Sequence, residues 1–298
     1  MNMNMEDLQI FLTVVAANGI TPAATRLRRV PSNVTTRIQQ LEADLGVPLF
    51  HRENRRLTLS AQGRLFQPYA EQMLRLNEES RGALHDTAPR GALHLGAMDS
   101  VAATRLPGPL AEYHRRHPQT SVQLTTGSTQ QLLVQLLARN LEAAIMANPP
   151  ADERLEARPL VTEELVIIAA AGHPRIRTPR DARYHDFLTF GSGCAYRRRL
   201  EDWFARSGSM PQRISELSSY HAILGCVAAG MGLALVPRVI LEQFPARSAL
   251  SVHPLPASTG RVVISLVWRR LECSTRVRAF RAILAESPMK TRHPGARD

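Results

Sequence analysis

The side chains best suited to recognition chemistry are short hydroxyls and amides beside an arginine, within residues 32–40. Val34, Ile38 and Leu41 recur at helical spacing and predict one buried stripe. The opposite face then carries Ser32, Asn33, Thr35, Thr36, Arg37 and Gln40. Small residues permit close approach to a duplex, Asn and Gln can read adenine, and Arg can read guanine or hold phosphate. This composition is typical of a helix that enters a DNA major groove.

Two further helices are predicted before this polar face. The apolar spacing predicts an amphipathic helix over residues 6–17 and a short helix at about 21–28, with Thr21 as the N-cap of the second. The chain then breaks at Pro31, and we expect Ser32 to cap the third helix. Thr21 joins the residues of the polar face as a candidate DNA contact.

A basic turn follows the third helix. Residues 47–59 predict two short strands around it, with Arg52, Arg55 and Arg56 at the turn. Taken alone, these arginines would more often be a solvated charge run. Their place after the helix pair favours a wing that contacts the DNA backbone or the minor groove.

A long helix is predicted over residues 61–85, with Ser60 as its N-cap. Such a helix of about 25 residues spans roughly 38 Å, which is too long for a small head to bury. Its apolar positions are Leu65, Tyr69, Met73 and Leu76. We expect this stripe to pair with a second copy of the chain, so that two recognition helices meet a two-fold, interrupted palindrome.

The remaining residues predict a larger α/β domain in which strands and helices alternate, which favours parallel sheets. Strands are expected at 92–97, 121–126, 142–147, 164–170, 187–190, 213–217, 233–236, 251–254 and 262–268. Helices are expected at 103–117, 130–140, 196–207, 220–229, 238–244 and 273–286. Ligands of open α/β sheets bind at the carboxyl ends of strands. The candidate effector residues in those turns are Ser100, Thr126, Ser128, Thr129, Ser192, Gly193, Cys194 and Tyr196.

The charge is unevenly distributed along the chain. Of the net charge of +11, residues 1–90 carry only +2, from 11 arginines against 9 acidic residues. The excess therefore lies in the larger domain, where Arg197, Arg198 and Arg199 favour an acidic effector such as a carboxylate. Each candidate turn serves equally well as an ordinary cap of its own helix.

The N-terminal pattern resembles that of LysR-type regulators. The match rests on Ala23-Ala24-x-x-Leu27, Thr35, Ile38, Leu41-Glu42, Leu45-Gly46, Leu49-Phe50-x-Arg52 and Leu59-Ser60-x-x-Gly63. Val30 and Pro31 stand where this family commonly has Ser-Gln. Weaker markers extend the resemblance into the larger domain, such as Arg105-Leu106-Pro107, His117-Pro118 and Gly230-x-Gly232.

This resemblance implies an α+β multidomain protein that binds double-stranded DNA and senses a small molecule. We expect a winged helix-turn-helix at 1–60, a linker and dimerisation helix at 61–90, and a two-lobed, periplasmic-binding-protein-like α/β domain at 91–287. Lobe I is expected at about 91–161 and 267–287, lobe II at about 162–266, and a disordered tail at 288–298. Self-association to a homodimer or homotetramer is implied, and RNA polymerase is a further candidate partner.

Three alternatives remain open. An enzyme would combine Cys194 with His221 or His185, but no spacing supports this, and we expect no enzyme. A redox sensor would pair Cys194 with Cys226, and a ligand-binding module without DNA binding would use the larger domain alone. No cofactor or metal is expected from three scattered cysteines, and a cytoplasmic protein without membrane contact is expected from the absence of long apolar runs.

Overall fold

A computed structural model describes residues 3–53, 56–84, 88–182, 186–208, 210–287 and 289. The chain divides into two compact units, Met1–Thr87 and Ala88–Asp298. Arg55 and His185, and all of the expected tail 288–298 except Met289, lie outside the described residues.

The first unit is a winged helix-turn-helix followed by a long helix. Its elements are α1 (Met5–Ala17), α2 (Ile20–Leu27), α3 (Pro31–Leu45), β1 (Phe50–Glu53), β2 (Arg56–Leu59) and α4 (Ala61–Leu84). The two strands pair antiparallel, with Phe50 opposite Leu59. The aromatic ring of Phe11 packs against Phe50 and Phe66, at centroid distances of 5.5 and 5.4 Å. One apolar cluster therefore joins α1, the wing and α4.

Two predicted helix caps are wrong. The N-cap of α2 is Gly19, so Thr21 lies inside the first turn, where its carbonyl accepts from Thr25 Oγ1 at 3.2 Å. The N-cap of α3 is Val30, because Pro31 occupies the first helical position, which needs no backbone N–H. Ser32 is thereby one residue inside the helix and does not cap it.

The junction of the wing and α4 explains the spacing of Ser60 and Gly63. Ser60 Oγ donates to the carbonyl of Pro48 at 2.7 Å and accepts from the Gly63 N–H at 2.8 Å. A Cβ at Gly63 would overlap the carbonyl oxygen of Leu49. The glycine is required because the first turn of α4 lies against this backbone.

The second unit contains nine strands and nine α-helices among the described residues. Its strands are β3 (Gly91–Ala97), β4 (Thr120–Thr126), β5 (Ala143–Ala147), β6 (Leu155–Ala170), β7 (Asp186–Thr189), β8 (Arg213–Glu216), β9 (Ala234–Pro237), β10 (Leu250–Pro254) and β11 (Arg261–Arg269). Its helices are α5 (Asp99–Thr104), α6 (Pro107–Arg116), α7 (Thr129–Leu137), α8 (Pro179–Ala182), α9 (Ala195–Ala205), α10 (Tyr220–Ala228), α11 (Arg238–Leu241), α12 (Ala257–Gly260) and α13 (Thr275–Glu286).

The strands build two lobes that share β6 and β11. In the first lobe, β3 pairs parallel with β4 and β5. In the second lobe, β9 and β10 pair antiparallel with the end of β6, and β7 pairs parallel with β8. The two-lobed α/β architecture is confirmed, but the sheets are mixed rather than parallel. The reason is that β11 lies antiparallel to both β5 and β6.

The sequence underestimates β6. Its expected start was residue 164, whereas the strand begins at Leu155 and runs for 16 residues. Pro159 obscures this, since proline argues against a strand interior. The register slips there: Ile264 faces Val161 and Ser265 faces Pro159, so Leu160 is an extra residue in a bulge.

The helix expected at 103–117 is in fact two helices. α5 ends at Thr104, and α6 begins at Pro107 after Leu106. Proline is favoured at a first helical position but disrupts a helix interior, so the chain restarts there.

Within the described ranges, no helix is both long and apolar enough to cross a membrane. The same residues contain no cluster of His, Cys, Asp and Glu that could hold a metal ion.

Candidate DNA interface and effector cavity

The polar face of α3 lies on the surface of the first unit. Ser32, Asn33 and Thr36 are exposed, whereas Thr35 is half-buried. The Thr35 and Thr36 hydroxyls each donate to the carbonyl four residues earlier, both at 3.0 Å. Asn33 Oδ1 accepts from Arg29 Nη1 at 3.1 Å. The helix thus presents short polar groups above a buried stripe of Val34, Ile38 and Leu41.

Arg37 is held by carboxylates from the start of α1. Its Nε lies 2.9 Å from Asp7 Oδ1, and its Nη2 lies 3.0 Å from Glu6 Oε2. Asp7 is buried and forms a capping box with Asn4. Glu6 also pairs with Arg29. These ion pairs offset the charge of Arg37 and hold α3 against α1. The outer face of α3 is therefore formed by its neutral polar side chains.

Arg52 and Arg56 belong to the paired wing strands β1 and β2. The third predicted wing contact, Arg55, lies outside the described residues. The start of the wing is fixed by Glu42, whose Oε1 accepts from the backbone N–H groups of Leu49 and Phe50 at 2.7 and 3.1 Å. The Leu41-Glu42 motif thereby positions the wing relative to α3.

The long helix α4 has two apolar faces. Phe66, Ala70, Met73 and Leu74 pack into the cluster of the first unit. Leu65, Tyr69 and Leu76 remain 66%, 55% and 49% exposed. Met73, expected on the outer stripe, is therefore part of the inner one. The outer stripe is an apolar surface that this unit leaves uncovered.

Between the lobes of the second unit lies a cavity of about 480 Å³, here named the hydroxyl cavity. The turns after β3, β4, β7 and β8 all contribute to it, as expected for the carboxyl ends of strands. Its lining includes Met98, Asp99, Thr126, Gly127, Ser128, Gln131, Phe190, Gly191, Ser192, Cys194, Glu216, Leu217, Ser218 and Tyr220. Four of the predicted effector residues, Thr126, Ser128, Ser192 and Cys194, thus meet in one place.

The charged groups that line the hydroxyl cavity are carboxylates. Asp99 and Glu216 both face it, and Glu216 accepts from Arg197 Nη1. Arg197 also pairs with Glu201 at 2.9 Å. Ser128 serves its own helix, because its Oγ accepts from Gln131 N at 3.3 Å and Gln131 Oε1 accepts from Ser128 N at 2.9 Å.

Two predicted effector residues lie behind this cavity. Tyr196 and Ser100 are 2% and 1% exposed, with their oxygens 3.4 Å apart. The Tyr196 hydroxyl donates to Glu163 Oε2 at 3.2 Å, and Glu163 Oε1 pairs with Arg105 at 3.2 Å. Burial raises the pKa of Glu163 and, more strongly, that of Tyr196. This network joins α5, β6 and α9, and so connects the two lobes.

The last two predicted residues, Thr129 and Gly193, line a second interlobe cavity of about 500 Å³, here named the arginine cavity. Its lining includes Thr129, Gln130, Leu133, Asn148, Pro150, Gly193, Ala195, Arg198, Arg199, Asp202, Trp203, Arg206, Ser258 and Thr259. Gly193 has a φ of +96°, and a Cβ there would lie 3.0 Å from Gln130 Oε1 and 3.3 Å from Ser128 Oγ. The lobes therefore approach closely at Gly193, which borders the arginine cavity.

The cysteine chemistry is disfavoured by burial. Burial raises the pKa of the Cys194 thiol, which lowers the fraction of reactive thiolate. Cys194 belongs to the large apolar cluster of the second unit, whereas Cys226 packs against a different cluster around β6 and α10. Both are free thiols. Of the enzyme candidates, His185 lies outside the described residues.

Some contacts and lining residues of the candidate sites could not be assigned from the sequence. The clamp of Glu6 and Asp7 on Arg37 joins residues about 30 positions apart. The only local signal was Asn4-x-x-Asp7, a capping-box spacing. Arg198 and Arg206 had a clearer signal, because they flank Asp202 at four-residue steps on one helix face.

Two family profiles match the chain. One, described as a bacterial regulatory helix-turn-helix protein of the lysR family, matches residues 5–64. The other, described as the LysR substrate binding domain, matches residues 86–288. Among similar curated proteins, the uncharacterised HTH-type transcriptional regulator YusT of Bacillus subtilis is 38% identical, with 90% of each chain covered. The HTH-type transcriptional regulator GltR of the same organism is 36% identical, with 85% of this chain and 86% of that protein covered.

Solved structures share the fold along the whole chain. Full-length OxyR from Pseudomonas aeruginosa has a TM-score of 0.67 at 22% identity, covering 99% of this chain and 100% of that one. CbnR in complex with its target DNA has a TM-score of 0.66 at 22% identity, covering 96% and 100%.

Fold, polar helix face and interlobe cavities together define a DNA-binding transcription regulator with an effector-binding domain. The chain belongs to the LysR family of transcriptional regulators. The resemblance seen in the sequence is thus confirmed.

Proposed function

We propose that this regulator reads a specific DNA sequence through the exposed polar face of α3. The observation that carries the proposal is the display of Ser32, Asn33 and Thr36 on a helix whose opposite stripe is fully packed. Neutral hydrogen-bonding groups on a rigid support are suited to base edges. Thr21, Thr35 and Arg37 complete the proposed surface, and Arg52, Arg55 and Arg56 are the proposed phosphate contacts.

The proposed form on DNA is a homodimer or a homotetramer on an interrupted palindrome. What supports it is the exposed stripe of Leu65, Tyr69 and Leu76 on α4. Burying these side chains would remove them from water, which favours association of two copies. RNA polymerase is the proposed partner at the promoter, and the cytoplasm is the proposed place of action. No catalytic step is assigned.

The proposed effector site is the cleft between the lobes. Both lobes contribute polar side chains to it, namely Thr126, Ser128, Ser192 and Cys194. A ligand that contacts both sets would hold the two lobes together. The hydroxyl cavity offers carboxylates to a ligand, so an acidic effector draws no support from its charge. Redox sensing through Cys194 is the weaker candidate, because its thiol is buried.

An electrophoretic shift assay on the DNA upstream of the chain's own gene tests the DNA proposal. We expect a retarded complex at low salt, and reduced sequence selectivity for Asn33→Ala and Thr36→Ala. Thr13→Ala is the matched control, because Thr13 is a helical threonine on α1 whose hydroxyl bonds to the carbonyl four residues earlier. A protein that fails to shift any DNA at low salt contradicts the proposal.

A further inference from the structure

We propose that the arginine cavity binds an organic carboxylate with an apolar body, separately from any ligand of the hydroxyl cavity. This inference rests on the proposed ligand-sensing role of the cleft and adds the chemical class of one ligand. It depends on three features of the cavity: its charge, its apolar wall and its position across two lobes.

The charge comes from one face of α9. Arg198, Asp202 and Arg206 follow each other at four-residue steps, and all three line the cavity. Both arginines are exposed, and neither guanidinium forms an ion pair within the described residues. Arg199 adds a third positive charge, so that the wall carries three cations against one carboxylate.

Arg199 is held in place by backbone. Its Nη1 donates to the carbonyls of Ser258 and Thr259, both at 2.9 Å. Its Nε–H is buried and meets no acceptor among the described residues. A guanidinium fixed in this way has no carboxylate within ion-pair distance in the described part of the chain, which favours an anion nearby.

The opposite wall suits the rest of such a ligand. There, Leu133 and Pro150 supply apolar surface, and Asn148 and Thr129 supply hydrogen-bonding groups. Trp203 adds apolar surface from α9 itself, beside the arginines. The volume of about 500 Å³ is in the usual range for a small organic ligand. An apolar body of the size of a phenyl or branched alkyl group can therefore pack there while its carboxylate meets Arg198 or Arg206.

The two interlobe cavities differ in sign. The hydroxyl cavity presents Asp99 and Glu216, whereas the arginine cavity presents Arg198, Arg199 and Arg206. An acid is repelled from the first and attracted to the second. Because α7 and Asn148 belong to the first lobe and α9 to the second, a bound acid bridges the lobes.

Isothermal titration of the full chain with phenylacetate and isovalerate tests the proposal, with phenylacetamide and isovaleramide as neutral counterparts. We expect the acids to bind and the amides to bind at least tenfold more weakly. Arg198→Gln and Arg206→Gln should each weaken acid binding about tenfold or more, since a hydrogen bond to a charged group is lost. Arg278→Gln is the matched control, an exposed arginine on α13 away from the cavity.

Each other outcome overturns the proposal. The proposal is wrong if neither acid binds, and it is also wrong if the acids and the amides bind with equal affinity. Unchanged affinity in the two arginine variants, with loss in Ser192→Ala, would assign the acid to the hydroxyl cavity. Equal binding of inorganic phosphate would indicate charge attraction without an apolar contact. The shift assay without ligand reports on the proposed function independently of all these results.

Discussion

The two units of the regulator support their functional surfaces in opposite ways. In the first unit, a convex helix face rests on one local apolar cluster, with the polar side chains outside it. In the second, concave cavities are lined by turns that come from distant parts of the chain, and the hydroxyl cavity is backed by the buried network of Tyr196, Glu163 and Arg105. A surface made by one helix tolerates distant changes, whereas a cavity depends on every segment that reaches it. Variants that damage one unit and spare the other test this difference.

The largest effect is expected for Gly63→Val in the first unit. Any Cβ there would overlap the Leu49 carbonyl oxygen and lie 2.7 Å from Leu59 Cδ2, so the wing and α4 must separate. We expect loss of DNA binding and early melting of this unit, measured by shift assay and circular dichroism. Gly108→Val, where the Cβ would meet open space, is the control. Normal DNA binding by Gly63→Val would refute the close-packing argument.

Glu142→Ala should have the next largest effect, this time on the second unit. The Glu142 carboxylate accepts from Arg276 Nη2 at 3.0 Å and from Ser274 Oγ at 2.6 Å, and both charged side chains are buried. Removing the carboxylate that faces the buried Arg276 guanidinium should cost up to about 3–5 kcal/mol of unfolding free energy.

Denaturant unfolding of the second unit measures this cost. The double variant Glu142→Leu with Arg276→Met should lose less, because it removes both charges. An equal or larger loss in the double variant would show that packing, and not removal of the Glu142 carboxylate from beside Arg276, sets the cost. DNA binding at low temperature should persist in both.

A smaller effect is expected for Tyr196→Phe, which removes one hydroxyl between the lobes. Its hydrogen bond to Glu163 is buried, so the loss should be about 1–2 kcal/mol in thermal unfolding. Burial holds the pKa of Glu163 above its usual value, so this carboxyl favours folding most at low pH, and the contribution falls as pH rises. The Tyr196 hydroxyl opposes this rise in pKa, because its hydrogen bond is stronger to the ionised carboxylate. The deficit of Tyr196→Phe should therefore grow as pH rises and Glu163 ionises. A deficit that does not change with pH would exclude Glu163 as its cause.

Glu112→Gln should show the smallest effect. The neighbouring Arg115 and Arg116 lower the pKa of Glu112 from 4.5 to about 2 on an exposed helix face. Since the folded-state pKa is depressed, the ion pairs stabilise above the ordinary pKa, and this benefit disappears as pH falls toward about 2. The melting temperatures of variant and wild type should differ slightly at neutral pH and converge in acid. A difference that persists in acid would indicate a packing effect instead.

Local patterns predicted the helices of the first unit well, because each is defined by its own apolar spacing and a nearby break. The caps predicted at Thr21 and Ser32 were wrong because both helices begin two residues earlier. Pro22 and Pro31 then lie in the first turn, where the backbone N–H has no partner within the helix. In the second unit, β6 was underestimated at Pro159, since the bulge that accommodates it requires the partner strand β11. The turns of the hydroxyl cavity were predictable from strand ends. The division into two cavities was not, because it depends on the approach of Gly193 to α7.

The continuous strand β6 also has a mechanical consequence. It runs through both lobes without a break, and its neighbour β11 keeps register with it on either side of the extra residue Leu160. A bulge increases local twist and bends the strand that contains it. Rotation of one lobe against the other can therefore be absorbed as torsion at this point, with the hydrogen-bonded ladders on both sides intact. Ligand binding in the cleft would change the twist of β6 at the bulge, and the two lobes would rotate about this point as rigid bodies.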